Sequence, residues 1–270
     1  MKRLYSRPES LKDVEMSYCP GCGHGIIHKL IAEVIDELGI REKTIIVGPV
    51  GCSVFIYEYY NCDGTESSHG RAQAVATGMK RALPDRVIVT YQGDGDLAAI
   101  GTAETIHAAN RGENFTTVFV NNAIYGMTGG QMAPTTLPGQ KTTTSPFGRD
   151  TASTGYPLKV CEILSRFEAP AYVERTSVHD VKHILKTKKA IRKGIEYQMK
   201  GFGYSFVEVL SMCPTNWGMS PVNAAKWVAD AMIPYYPLGV YKDRGGDGER
   251  AAGVERIEPR KEPAVREKVR

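Results

Sequence analysis

Three short apolar runs constrain the fold of this chain more than any other feature. TIIVGPV at 44–50, RVIVTYQ at 86–92 and FTTVFVN at 115–121 are rich in β-branched residues and are flanked by turn-forming Gly, Pro or Asn. None alternates apolar with polar residues, so each reads as a strand buried on both faces. Between them, RAQAVATGMKRAL at 71–83 and LAAIGTAETIHAANR at 97–111 carry apolar residues at helical spacing. Strands alternating with helices predict an α/β fold: a doubly wound, mostly parallel sheet with helices on both faces.

The pattern extends outward. Residues 25–39 (GIIHKLIAEVIDELG) predict a helix that stops at Gly39. A Thr-, Gly- and Pro-rich stretch runs from Tyr125 to Tyr156, and a loop of that length in a compact domain points to function. Beyond it the sequence predicts a short helix near 157–166, a strand AYVERT, a long basic helix from His179 to about Lys200, a strand YSFVEVL and a helix at 221–232. From Tyr241 the chain is roughly half charged and nearly devoid of large apolar residues, so one domain (1–240) is expected, followed by a charged tail or partner-binding arm (241–270).

Composition narrows the class. With 270 residues, 42% of them hydrophobic, the chain can bury one substantial core. It has no apolar run of about 18 residues and no apolar secretory segment near its start, so a soluble cytoplasmic protein is expected, without a membrane partner. A net charge of +4, spread along the chain, gives no nucleic-acid footprint. Six cysteines in such a chain argue for metal or redox use rather than disulfides.

Gly93-Asp94-Gly95-Asp96 follows a predicted strand and precedes a predicted helix. That position is the carboxyl edge of a parallel sheet, where glycines let backbone amides approach phosphate and a helix N-terminus favours negative charge. The Asp94 carboxylate suits magnesium, which takes one or two carboxylates beside phosphate oxygens. The next predicted strand ends at Asn121-Asn122, and a parallel connection returns Asn122 to the same edge, where its side-chain oxygen can join that metal. A plain turn at Gly93–Gly95 is the alternative. A nicotinamide fingerprint fits less well, because Ala98 stands where its third glycine belongs. Thr128 and Gly129, in TGGQ just after this turn, can offer a hydroxyl and amides to diphosphate oxygens.

Cys19-Pro20-Gly21-Cys22 is a lone CxxC turn, compatible with several uses. Cys52 in GPVGCS and Cys213 in SMCPT follow predicted strands, so four thiolates from three segments could surround either one tetrahedral metal or an iron–sulfur cubane.

GDG followed after this interval by NN resembles the diphosphate-binding motif of thiamine-diphosphate enzymes. Taken in order, YCPGCGHG, GPVGCS, HGRA, GDGDLAAIG, NNAIYGMTGGQ and SMCPTNW resemble the β subunit of the 2-oxoacid:ferredoxin oxidoreductases, from about residue 15 to 240. The resemblance implies that Asp94, Asn122 and the Ile124 carbonyl hold Mg2+, and that Gly93, Gly95 and Asp96 line the diphosphate of thiamine diphosphate. It implies that Cys19, Cys22, Cys52 and Cys213 bind one 4Fe-4S cluster, leaving Cys62 and Cys161 as free thiols. It further implies the reaction 2-oxoacid + CoA + oxidised ferredoxin → acyl-CoA + CO2 + reduced ferredoxin, with coenzyme A as co-substrate. Partner subunits of α, γ or δ type are implied too, one supplying the glutamate that activates thiamine and another the ferredoxin-like clusters that this sequence lacks.

His24, His69 and Arg71, in CGHG and HGRA, are the candidate catalytic residues. Against this stand a helix-capping role for His24 and a surface role for Arg71. Lys141 or Arg149 could pair with a distal substrate carboxylate, or be solvated loop charges. The loop APTTLPGQKTTTSPFGRD resembles members acting on branched-chain 2-oxoacids such as 2-oxoisovalerate, with 2-oxoglutarate next. Two other classes compete: a non-oxidative thiamine-dependent decarboxylase or lyase, which has no use for four cysteines, and a zinc-stabilised noncatalytic subunit.

Overall fold

The three apolar runs form the centre of a seven-stranded sheet in the computed structural model of the protein, which describes residues 6–245. In chain order the strands are β1 (Thr44–Gly48), β2 (Asp63–Glu66), β3 (Val87–Gly93), β4 (Thr116–Asn121), β5 (Tyr172–Ser177), β6 (Ser205–Leu210) and β7 (Gly239–Asp243). They lie in the order β2-β1-β3-β4-β6-β5-β7, and every neighbouring pair is parallel except β5 and β7. The helices are α1 (His24–Glu37), α2 (Ile56–Tyr59), α3 (Ala72–Ala82), α4 (Thr102–Arg111), α5 (Thr151–Thr154), α6 (Val160–Leu164), α7 (Val181–Met199), α8 (Pro214–Trp217), α9 (Pro221–Trp227) and α10 (Ile233–Tyr235).

Successive strand residues point to opposite faces, and both faces are covered. On β3, Val87, Val89 and Tyr91 join the core beneath α1 and α7, whereas Ile88 joins the core beneath α3 and α4. On β4, Val118 and Val120 face the first core and Phe119 the second. Each fully buried Val or Ile contributes about 1.5–3 kcal/mol, which explains why the central strands are continuous apolar runs. Helix α1 ends as expected: Gly39 takes φ +63°, a left-handed turn that glycine adopts without cost.

Three features depart from the expectations. β2 and β7 are polar edge strands without the apolar signature. The first residues of the expected tail, Tyr241–Asp243, belong to β7 and are followed by Arg244 and Gly245; 246–270 lies outside the described residues. The helix expected over 97–111 opens as a π-helical turn, Asp96–Ile100, before α4. A Cβ on Gly101 would come within 2.3 Å of the Asp96 carbonyl, so only glycine fits this change of pitch. Such π turns concentrate at functional sites.

Candidate active site

Because β1, β3, β4 and β6 run parallel, their carboxyl ends deliver the predicted motifs to one edge. Asp94, 3% exposed, accepts hydrogen bonds from the Asn122 and Ile124 amides (3.2 and 3.0 Å) and from Thr135 Oγ1 (2.7 Å). The Asn122 side-chain amide lies 3.2 Å from Asp94 Oδ2 and 2.8 Å from the Ile124 carbonyl. With its oxygen toward them, the amide would complete a set of three oxygen donors. Octahedral magnesium, with bonds of 2.0–2.1 Å, places adjacent oxygens about 2.9 Å apart, so the donor set fits that ion. Burial pushes the Asp94 carboxyl up to about 7, and a bound cation would reverse that shift.

A cleft of about 330 Å³ opens on this turn. Its lining includes Gly93, Gly95, Asp96, Ile124 and Thr128 together with His24, Cys52 and His69. The Asp96 carboxylate binds Val50 N (3.2 Å), Gly70 N (2.8 Å) and Gln92 Nε2 (2.6 Å), and lies 2.7 Å from His69 Nδ1. Its side chain therefore ties three segments of the cleft wall together, which its expected diphosphate role did not foresee. Thr128 is bonded to Gln131, and the Gly129 amide to the Gly126 carbonyl (3.3 Å), so neither group faces the cleft without an internal partner. Arg71 does not reach the cleft. It pairs with Glu104 of α4 at 2.5 Å and donates to the Ile100 carbonyl.

His24 is buried at the first turn of α1, with Nδ1 2.6 Å from the Tyr91 hydroxyl. Burial pulls the imidazole down to about 4, so it stays neutral near pH 7. The Tyr91 contact leaves Nε2 as the ring nitrogen with which His24 can meet a ligand.

The four motif cysteines converge beside the same turn, each within electrostatic reach of others in the set. Burial, with neighbouring thiols adding to it, pushes Cys22 up to about 12 and Cys52 up to about 11. A tetrahedral zinc with bonds of 2.3 Å would hold its sulfurs roughly 3.8 Å apart. Among the described residues, the one group of three metal-type ligands within 4.8 Å of one another is His179, Asp180 and His183. There Asp180 caps α7 by accepting from the His183 amide at 2.7 Å. Among the described residues no three of the cysteine sulfurs lie within 4.8 Å of one another. Gly126 leaves them room: a Cβ there would sit 2.9 Å from Cys52 Sγ and 3.7 Å from Cys213 Sγ. Asn216 Nδ2 donates to the Gly126 carbonyl at 2.9 Å and to Cys213 Sγ at 3.4 Å. Cys161, buried in the second core, and Cys62, packed against the first, stand outside this group.

Residues 49–209 match the family model for the thiamine pyrophosphate enzyme, C-terminal TPP binding domain. The 2-oxoglutarate synthase subunit KorB of Methanocaldococcus jannaschii is 39% identical, over 79% of this chain and 74% of its own length. The chain belongs to the 2-oxoacid:ferredoxin oxidoreductase family. Another member, the ketoisovalerate oxidoreductase subunit VorA of Methanothermobacter thermautotrophicus, is 49% identical over 92% of this chain; the chain spans about half, 54%, of that relative. The solved 2-oxoglutarate:ferredoxin oxidoreductase from Magnetococcus marinus, with 2-oxoglutarate, coenzyme A and succinyl-CoA bound, superimposes with a TM-score of 0.75 at 26% identity, over 96% of this chain and 89% of that one.

Within this family member, several residues of the site escaped the sequence. Tyr91 and Gln92 lie outside every motif, and Thr135 and Asn216, though inside APTTLPGQ and SMCPTNW, had no role assigned; each matters through a contact made by folding. Arg149 corrects an expectation. Almost fully buried, it donates to the carbonyls of Pro134 (3.0 Å), Thr136 (2.6 Å) and Gly155 (3.1 Å), locking the long loop instead of facing a substrate. Lys141 is exposed on that loop and does not line the cleft.

Proposed function

We propose that the chain is the thiamine-diphosphate-binding β subunit of an oxidative, CoA-dependent 2-oxoacid:ferredoxin oxidoreductase. Asp94, Asn122 and the Ile124 carbonyl would hold Mg2+, and Gly93 and Gly95 would line the diphosphate. Cys19, Cys22, Cys52 and Cys213 would ligate one 4Fe-4S cluster. When bound, thiamine diphosphate supplies the carbanion and electron sink for decarboxylating a 2-oxoacid, and the cluster a one-electron acceptor. One observation carries the oxidative reading: Cys52 lines the same cleft as Asp94, which joins the thiol group to the metal turn. A non-oxidative lyase has no use for that adjacency.

The chain's own contribution is binding, orientation and exclusion of water. His24, neutral and held by Tyr91, offers a ring nitrogen at the cleft wall, and His69 is oriented there by Asp96. Ile100 and Met127 line the cleft yet are 50% and 55% exposed, as expected if partner subunits complete it and supply the activating glutamate. Ferredoxin is the proposed acceptor, and the protein is expected to work in the cytoplasm; among the described residues no helix is long and apolar enough to cross a membrane.

For the substrate, 2-oxoisovalerate is favoured over 2-oxoglutarate. Val50, Ile100 and Met127 give this chain's share of the lining an apolar part, and Arg149, the buried cation of the nearby loop, is committed to carbonyls. The similarity to the ketoisovalerate enzyme subunit agrees. Steady-state comparison of pyruvate, 2-oxoisovalerate and 2-oxoglutarate on the full complex tests this. The largest kcat/KM is expected for 2-oxoisovalerate; a preference for 2-oxoglutarate or pyruvate would refute the assignment.

A further inference from the structure

Behind the metal turn runs a chain of buried polar side chains that the reaction does not touch. Ala123 takes φ +56°, the one non-glycine residue with a positive φ among those described. Such a conformation persists only where its surroundings over-determine it. Three contacts fix it here: the Ala123 amide donates to Asn121 Oδ1 at 3.1 Å, and the Ala123 carbonyl accepts from Thr136 Oγ1 at 2.7 Å and from Gln140 Nε2 at 3.1 Å. Asn121 is in turn oriented by Glu208, whose Oε1 accepts from Asn121 Nδ2 at 2.7 Å. The other carboxylate oxygen accepts from Arg175 Nε at 2.8 Å, Arg175 being its direct neighbour in the β5–β6 register. Arg175 reaches on to Glu162 (2.9 and 2.6 Å) and to the Tyr241 hydroxyl of β7 (2.6 Å). Asn121, Arg175 and Glu208 are all fully buried. Burial opposes the Arg175 charge, but Glu208 and Glu162 outweigh it and keep the guanidinium ionised.

We infer that Glu208 is a positioning residue for the metal turn. It fixes the Asn121 amide so that oxygen, not nitrogen, faces the Ala123 amide, and thereby sets the left-handed kink from which the Asn122 and Ile124 amides donate to Asp94. Counting donors and acceptors decides the orientation. A buried carboxylate has two acceptor oxygens and no donor, so Arg175 and Asn121 Nδ2 can both donate to it and Asn121 Oδ1 is left for Ala123. A glutamine in place of Glu208 would have one acceptor oxygen only. Given to Arg175, that acceptor turns an NH2 toward Asn121; Asn121 must then rotate and present its own NH2 to the Ala123 amide, donor against donor. Supporting partners of metal ligands commonly change metal affinity tenfold or more when altered.

The inference rests on the metal–diphosphate reading above, and the experiment separates the two. Mg2+-dependent thiamine diphosphate binding is titrated calorimetrically on the assembled complex carrying wild type, Glu208→Gln, Asn121→Ser, the double variant or Thr44→Val. Thr44, buried at the amino end of β1 and so at the sheet edge opposite the turn, donates to the Ile40 carbonyl at 2.8 Å and controls for general loosening. Hydrogen exchange over residues 121–125 is followed in the same samples. The expected result is an apparent Mg2+ Kd raised about tenfold in Glu208→Gln and in Asn121→Ser, with no further rise in the double variant and faster exchange of the turn peptide. Thr44→Val should leave both readouts at wild type. Unchanged Mg2+ affinity and turn exchange in Glu208→Gln would overturn the inference while leaving the metal site standing. Equal losses in Thr44→Val would also overturn it, since general loosening would then explain them. No Mg2+-dependent binding by the wild-type complex would remove the metal reading itself, and the inference with it.

Discussion

Residues that carry their chemistry in their identity were the legible ones. A carboxylate between glycines at a strand end, an asparagine at the next strand end and four motif cysteines could be nominated unaided, because phosphate, magnesium and iron each demand a particular donor. Thr135, Asn216 and Glu208 could not. Their roles depend on contacts spanning 41, 90 and 87 positions, to Asp94, Gly126 and Asn121, which no local spacing encodes. Arg149 misled for a related reason: a cation in a flexible-looking loop became a buried hub once the loop folded over it. Gly126 allows a test at this scale. Gly126→Ala places a methyl against Cys52 Sγ and Cys213 Sγ, so iron and sulfide content after anaerobic reconstitution should fall well below wild type. Gly78→Ala, in α3 with open space around it, should retain full iron and gain roughly 0.5–1 kcal/mol in unfolding free energy. Equal iron content in the two variants would mean that Gly126 does not make room for a cluster.

Elements were legible in proportion to how deeply they are buried. β1, β3, β4 and β6 announced themselves as apolar runs because both of their faces are covered. β2 and β7 did not, because an edge strand can be polar and still pair. The π-helical turn at Asp96–Ile100 was invisible for another reason, since a change of pitch leaves the apolar spacing nearly intact. At the β5–β7 edge, burial pushes Glu174 up to about 7, with Lys193 opposing and Asp243 adding to the shift. A carboxyl whose folded pKa lies above its ordinary value holds its proton more tightly in the folded state. Its stabilising contribution is complete below that ordinary value and is lost as pH rises through about 7. Glu174→Gln should therefore raise Tm by roughly 2 °C over wild type near pH 8 and by little near pH 5, as read by thermal unfolding at the two pH values. A gain that is the same at both would show that the ionised carboxylate is not what costs stability there.

Across the whole molecule, topology does what no single motif can. Parallel strands send Cys52, Asp94, Asn122 and Cys213 to one edge although 161 positions separate the first from the last. The order of motifs along the sequence thus became a site only through the sheet. The cleft built there is open toward half-exposed apolar side chains, which is why this chain is assigned one half of an active site and its partners the other. The metal–diphosphate turn and the four thiols are proposed to form one redox centre. The most direct measurement is the iron, acid-labile sulfide, zinc and thiamine diphosphate content of the anaerobically purified complex, for wild type and for Cys213→Ala. About four irons and four sulfides are expected on this chain beside one thiamine diphosphate, with the Cys213→Ala chain losing iron but keeping the thiamine cofactor. Stoichiometric zinc without sulfide, or thiamine diphosphate bound with no iron on this chain, would contradict it.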